Sequence, residues 1–231
     1  MPIKLILLDA DDTLWHNIRH FDAAEHALAE MLVPLAEAGI TRATLSQVEA
    51  RNLRHYGYGA KSFTLSMIET AIELGGDALP ISTVREILEA GRDLLTHPVE
   101  LLNGVGETVD ALSRLGDLVL VTKGDLLHQE TKLAASGLGD YFSRVQIVSD
   151  KNTSTFSRLI AKHGVGPSQA IMAGDSLRSD ILPALEAGAW AAFVPHDIVW
   201  RHERAPEPTD HPRYRRLNCL GDLPGLIEQL D

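Results

Sequence analysis

Ile3-Lys4-Leu5-Ile6-Leu7-Leu8-Asp9-Ala10-Asp11-Asp12-Thr13 is an apolar run that stops abruptly on carboxylates. It is continuous rather than alternating, the pattern of a strand covered on both faces in a parallel sheet. Four more short runs of this kind follow, at 118–121, 145–148, 170–173 and 191–194. From the second onward, helix-period segments separate them: 126–136 before Gly137, 156–163 before Gly164 and 181–187 before Gly188. Each Gly stands where a helix closes through a left-handed residue. Strands alternating with helices specify an α/β fold built on a doubly wound, Rossmann-like parallel sheet.

Residues 15–98 break that rhythm. Phe21, Ala24, Leu28, Met31, Leu32 and Leu35 follow a helical period, with Pro34 expected to bend the late turns and Gly39 to end them. A second helix is expected around 44–55. Leu65, Ile68 and Ile72 form another stripe, and Val84, Ile87, Leu88 and Leu95 a further one, opened by Thr83-Val84-Arg85-Glu86 as a capping box and closed near His97-Pro98. About 80 helical residues between two strands far exceed an ordinary crossover. The expected division is a core of residues 1–14 and 99–231, interrupted by an inserted α-helical domain, 15–98. Residues 195–212, rich in Pro and His, read as a long surface loop. His196, His202 and His211 lie in it without the spacing of a zinc site.

The chain has 231 residues, with 21 Lys+Arg against 32 Asp+Glu, a formal charge of −11. That length buries a core without disulfides, and 45% hydrophobic residues exclude wholesale disorder. The acidity argues against a nucleic acid or an anionic membrane as partner. A small anion remains compatible, because a bound cation reverses the local sign. The single cysteine, Cys219, leaves no intrachain disulfide, the N-terminal apolar run is too short for a signal-peptide core, and no stretch approaches the roughly 20 apolar residues of a membrane span. A soluble, cytoplasmic protein is expected; oligomeric state is left open.

Ligands of an open parallel sheet bind outside the carboxyl ends of its strands. After the first run come Asp9, Asp11 and Thr13; after the second, Thr122-Lys123-Gly124-Asp125; after the third, Ser149-Asp150-Lys151; after the fourth, Gly174-Asp175-Ser176, with Asp180 five residues beyond Asp175. Carboxylates gathered at one sheet edge repel one another and lose hydration. A divalent cation resolves the conflict, and hard oxygen ligands suit Mg2+.

With these residues in place the sequence resembles the haloacid dehalogenase superfamily, most of whose members are phosphatases. Asp9-x-Asp11-x-Thr13 matches its first motif, Thr122 its second, Lys151 its third, and Gly174-Asp175 with Asp180 its fourth. The helical insertion falls where the family carries a C1-type cap. The resemblance implies Asp9 as a nucleophile that forms an aspartyl-phosphate, and Asp11 as the acid that protonates the leaving alkoxide and later activates water. It implies a metal held by the Asp9 side chain, the Asp11 backbone carbonyl and the Asp175 side chain. Thr122 and Lys151 would hold the transferring phosphoryl group. Asp180 and Ser176 stand behind these ligands: Asp180 either orients Lys151 or a water on the metal, or is a capping carboxylate. Asp12 occupies a position where many relatives have Gly, which alters the turn rather than the chemistry. Lys123 stands where many relatives carry Asn; it either adds a positive charge beside the phosphate or is a plain loop lysine.

The implied activity is Mg2+-dependent hydrolysis of a small phosphorylated metabolite. A 2-haloacid dehalogenase releases halide, which needs no proton, so Asp11 favours the phosphoester. A phosphomutase shares both aspartates and is separated only by how it retains substrate. A catalytically silent binding module would be favoured by loss of Asp9 or Asp175, and both are present. The cap is expected to close over the site and choose the leaving group. Trp15, His16 and Asn17, together with Tyr56, Tyr58 and Lys61 on a glycine-punctuated turn, are its candidate substrate contacts. The competing reading of that turn is an ordinary helix–helix loop with its aromatics tucked into the cap core.

Overall fold

A computed structural model describes residues 2–230. Its strands are β1 (Leu5–Leu8), β2 (Asp117–Lys123), β3 (Arg144–Val148), β4 (Ala170–Gly174), β5 (Trp190–Phe193) and β6 (Tyr214–Arg216). They form one sheet in the order β3-β2-β1-β4-β5-β6, every neighbouring pair parallel. The helices are α1 (Ile18–Met31), α2 (Ala38–Tyr56), α3 (Ala60–Gly75), α4 (Ile81–Thr96), α5 (Val105–Ser113), α6 (Leu126–Ser136), α7 (Thr153–Lys162), α8 (Leu182–Glu186) and α9 (Leu223–Leu230).

The chain divides into two compact units. One takes the chain up to Ile18, then Val99–Lys123 and everything from Gln129 onward; the other takes Arg19–Pro98 with Gly124–His128. In the first unit, strand alternation sends Ile6, Leu8, Leu118, Leu120, Ile171 and Ala173 to one face of the sheet, against Val105, Val109, Leu112, Leu223 and Ile227 of α5 and α9. Leu5, Leu7, Val119, Val121 and Met172 face the other way, against Phe156, Leu159 and Ile160 of α7 and Ala184 and Leu185 of α8. Both faces are covered, which is why the strand sequences are continuously apolar. Burying one such Leu or Val side chain contributes roughly 1.5–3 kcal/mol. Gly137, Gly164 and Gly188 close their helices with φ of 70°, 68° and 82°. β3 differs from the expected covered strand: it is an edge, and Val145 is 37% exposed. β6 has no counterpart in the sequence reading. Three residues are too few to show a period, and it exists through its pairing with β5.

The second unit is helical. Pro34 does not bend a continuing helix, because α1 ends at Met31; Gly39 lies in the first turn of α2 rather than at the end of α1. Thr83 does not open α4. Pro80 does, its carbonyl accepting from Thr83 N at 3.1 Å, and Thr83 sits inside the first turn. The buried face of α3 carries Phe63, Met67 and Ala71 with Ser66 and Thr70, while Leu65 and Ile72 are exposed. The core there admits small polar groups because each hydroxyl returns to the preceding turn: Ser66 Oγ to Ser62 O at 3.0 Å and Thr70 Oγ1 to Ser66 O at 2.8 Å.

Candidate active site

β1 is central, with β2 on one side and β4 on the other, so the strand order reverses between β1 and β4. A crevice opens at such a reversal. Asp9, just past β1, donates its backbone N–H to Ala173 O at 3.0 Å, which brings it beside the β4 turn that carries Asp175. Thr13 ties the two loops together: its hydroxyl donates to Asp9 Oδ2 at 3.0 Å and accepts from Asp175 N at 3.1 Å. The carboxylates of Asp9, Asp175 and Asp180 bring oxygens within 4.8 Å of one another.

The turn after β1 is left-handed at Asp12, with φ 64°, the one non-glycine with positive φ among the described residues. Asp tolerates this region because its short side chain bonds locally. Here it accepts from the N–H groups of Asn17 (2.8 Å) and Ile18 (2.9 and 3.0 Å), capping the start of α1.

Lys151, after β3, reaches across the end of the sheet and is buried. Its ammonium contacts Asp9 Oδ1 and donates to Asp180 Oδ1 at 2.7 Å. Asp180 is completed by Ser176 N, which donates to Oδ2 at 3.1 Å. Burial would lower the Lys151 ammonium, but Asp180 and Asp9 outweigh it and hold it above its usual range. One ammonium does not balance the acids. Burial pushes Asp175 well above the carboxylate range, with Asp9, Asp180 and Asp12 adding to the effect. Burial likewise takes Asp180 up to about 7 and Asp12 to about 6. The close-set oxygens of Asp9, Asp175 and Asp180, with their surplus negative charge, fit a hard divalent cation.

Asp11 belongs to a different set of contacts. Its carboxylate accepts from Trp15 Nε1 at 2.7 Å, Gln129 Nε2 at 3.1 Å and Lys132 Nζ at 2.5 Å. Burial alone would raise it, yet Lys132, Trp15 and Gln129 hold it below its ordinary value. Gln129 Nε2 also donates to Thr122 Oγ1 at 2.5 Å and Lys123 O at 3.0 Å, so one amide joins the ends of β1 and β2. Lys123 Nζ donates to Ser179 Oγ at 2.7 Å and to Glu203 Oε1 at 2.6 Å.

Of the residues the sequence singles out, Asp9, Asp11, Thr122, Lys151, Asp175 and Ser176 lie at or just past the carboxyl ends of strands, and Asp180 lies in the turn after β4. Trp15 is a correction: its ring is 1% exposed in the core and serves Asp11, leaving no face for a ligand. Asn17 Oδ1 accepts from Lys132 at 3.1 Å, and the His16 ring lies edge-on to His196 at 6.2 Å. Tyr56, Tyr58 and Lys61 lie in the helical unit. Tyr56 is exposed rather than tucked into that unit's core and donates to Glu69 Oε1 at 3.4 Å, and Lys61 pairs with Asp125 at 3.2 Å. Gly59, at φ 113°, lets Asp125 approach within 3.0 Å of where a Cβ would stand. Residues 195–212 are not a free surface loop, since His196 Nε2 lies 3.8 Å from Asp12 and Glu203 is bound as above.

Gln129, Lys132, Ser179 and Glu203 were not foreseen. The first two stand out only once the chain is folded. They sit three residues apart on α6 and are buried, while Leu126 and Leu127 of the same helix are 61% and 68% exposed. A helix that buries its polar residues does so to serve a polar site.

A family model for haloacid dehalogenase-like hydrolases matches residues 3–188. A solved haloacid dehalogenase-like family hydrolase from Xanthomonas campestris is 38% identical and superposes with a TM-score of 0.89, covering 99% of this chain and 92% of that one. A phosphoserine phosphatase from Thermus thermophilus is 28% identical over 96% of each chain. An L-2-haloacid dehalogenase from Xanthobacter autotrophicus shares the fold at 17% identity, with a TM-score of 0.68 over 99% of this chain and 100% of that one.

Proposed function

This chain belongs to the haloacid dehalogenase-like hydrolases, and from that premise we propose that it hydrolyses the phosphomonoester of a small organophosphate with Asp9 as nucleophile. The reading is carried by Asp11. A carboxylate two residues beyond the nucleophile, wired to a lysine, supplies what a departing alkoxide needs and a departing halide does not.

Asp9 attacks phosphorus in line and forms an aspartyl-phosphate, dividing one displacement into two easier ones. Lys151 and Thr13 fix its carboxylate, one on each oxygen. Asp11 and Lys132, in direct hydrogen bond, share one transferable proton: it goes to the leaving oxygen in the first step and returns when Asp11 draws a proton from the water that clears Asp9. Thr122, held by Gln129, and Lys151 face the phosphoryl oxygens. Mg2+, held by the Asp9 and Asp175 side chains and the Asp11 carbonyl, supplies charge neutralisation for the phosphoryl group when bound. Residues 15–98 act as the cap that selects the leaving group; Tyr56, Tyr58, Lys61, His16, Asn17 and Lys123 are the candidate substrate contacts. Similarity to a phosphatase over nearly the whole chain supports a small phosphorylated metabolite as substrate. A phosphomutase is the second reading. Among the described residues no helix is long and apolar enough to cross a membrane; with the single cysteine this supports a cytoplasmic location.

The test is a panel of small phosphoesters assayed for phosphate release with Mg2+ and with chelator. At least one substrate is turned over with Mg2+ and none with chelator, and Asp9→Asn is inactive with an unchanged circular dichroism spectrum. Metal-free turnover of a 2-haloacid with no phosphoester activity overturns the proposal. Phosphate transfer within one substrate without release marks the mutase.

A further inference from the structure

Between β5 and β6 the chain makes a long excursion whose middle turn, Arg201–Glu203, delivers one carboxylate to the end of the sheet. Glu203 Oε1 accepts from Lys123 Nζ at 2.6 Å; Oε2 accepts from Ser176 Oγ and Ser179 Oγ, each at 2.5 Å. Next to it, Arg178 Nη1 donates to His202 O at 2.7 Å. Every one of these donors but Lys123 lies in the turn that follows β4. The Lys123 and Glu203 side chains are only 12% and 14% exposed. An ion pair so far removed from water is weak evidence of stabilisation, because its desolvation offsets the attraction. What it does well is fix geometry.

The turn it fixes is of a kind that needs outside support. Leu177–Ile181 is π-helical, with Ile181 N donating to Ser176 O at 3.1 Å, a rare arrangement often found at functional sites. Asp175 precedes that turn and Asp180 lies within it. Ser176 joins Glu203 through its hydroxyl and Asp180 through its backbone N–H (3.1 Å). Asp180 joins Lys151 at 2.7 Å, and Lys151 joins Asp9. A continuous chain of hydrogen bonds therefore runs from Glu203 through Ser176, Asp180 and Lys151 to the candidate nucleophile.

We propose that Glu203 is a positioning residue of the metal site: residues 195–212 act as a strap, and Glu203 holds the π turn so that Asp175 stays in register with Asp9. Glu203 contributes to Mg2+ affinity although it holds no metal itself. The proposal rests on the phosphatase reading, in which Asp9 and Asp175 are the side-chain ligands. Groups behind metal ligands typically govern 10–100-fold in metal affinity or activity.

The experiment is Mg2+ titration by isothermal calorimetry on the full chain, for wild type, Glu203→Ala and Glu203→Gln, paired with phosphate release across Mg2+ concentrations. Glu203→Ala is expected to weaken Mg2+ binding about 10-fold or more. Glu203→Gln, whose amide oxygen still accepts from the serines, loses less. Saturating Mg2+ restores most of kcat in both, which neither a group acting on the substrate nor a purely structural residue would show. Should Glu203→Ala fail to fold, Glu203→Gln decides alone. Variants that bind Mg2+ as tightly as wild type, or lose kcat that Mg2+ does not restore, overturn the inference while leaving the phosphatase reading standing. A wild-type chain that neither binds Mg2+ nor releases phosphate overturns both.

Discussion

Lys132 Nζ lies 2.5 Å from Asp11 Oδ1, and the lysine is buried although it sits on a helix that exposes two leucines. It also donates to Asn17 Oδ1 at 3.1 Å, so the ammonium has no role on the surface. The candidate acid is thus supplied with a cation by α6, independently of Lys151, and the two aspartates of the first motif are held by different lysines. Asp9 is gripped from the β3 end of the sheet and Asp11 from the helix after β2.

Lys132→Met removes the charged donor and keeps the apolar stem. A hydrogen bond to a charged group contributes about 1.5–3 kcal/mol, and Asp11 keeps two other donors, so urea denaturation is expected to report a loss toward the lower end of that range. Turnover of an alkyl phosphate falls further than turnover of an aryl phosphate, whose leaving group needs less protonation. Equal losses on both substrates would separate Lys132 from proton transfer.

Asp175 is expected to be a stability liability in the absence of Mg2+. Burial and three neighbouring acids raise its pKa in the folded chain, so holding it ionised at neutral pH works against folding, and the penalty disappears only as pH falls and the group protonates. Asp175→Asn removes that charge at nearly constant volume. In chelator its melting temperature is expected to equal or exceed that of wild type, and the rise that Mg2+ is expected to give wild type is absent. A lower melting temperature in chelator contradicts the electrostatic account.

Gly174 is the last residue of β4, packed where the two loops converge. A methyl group there would collide with the Asp180 carboxylate and come within 2.9 Å of Asp9 Cβ. Both neighbours are buried and tied to Lys151, so neither can yield cheaply. Gly174→Ala is expected to lose about 1–3 kcal/mol, the cost of overpacking, together with Mg2+ affinity. Ala at Gly106, where nothing lies within 4 Å, serves as the control.

Glu203 sets an acid limit on the strap. Burial opposes its ionised form, but Lys123, Ser176 and Ser179 prevail and hold its pKa below the ordinary 4.5. A carboxylate with a depressed folded-state pKa stabilises fully above its unfolded value and loses that contribution as pH falls through the folded one. Unfolding free energy of wild type is therefore expected to decline below about pH 4.5, and more steeply than that of Glu203→Gln. Parallel curves for the two chains in denaturant titrations from pH 6 to pH 3 would remove Glu203 from the acid response.

Much of the fold was legible because its signals are local. Leu5 to Leu8 read as a covered strand from composition alone, and Gly137, Gly164 and Gly188 marked helix ends because left-handed backbone restricts residue choice. The carboxylates at Asp9, Asp11 and Asp175 were legible because a parallel sheet directs its loops to one edge. Of the stripe Leu65, Ile68 and Ile72 only Ile68 packs against the core, since period does not say which face of α3 is buried when Ser66 and Thr70 can satisfy their hydroxyls within the helix. Trp15 misled: its place beside the motif suggested a contact surface, but only packing shows its ring in the core.

The doubly wound sheet, the helical insertion and the identity of the acids at the strand ends can be read from the chain alone, because strand period, glycine conformation and topology each act over a few residues or through a general rule. Which cations answer those acids emerges only when the chain is folded. Lys132 lies 121 residues from Asp11, and Glu203 lies 80 from Lys123 in a segment with no periodicity. Ion pairing and desolvation depend on distance in space, and no spacing along the chain encodes it.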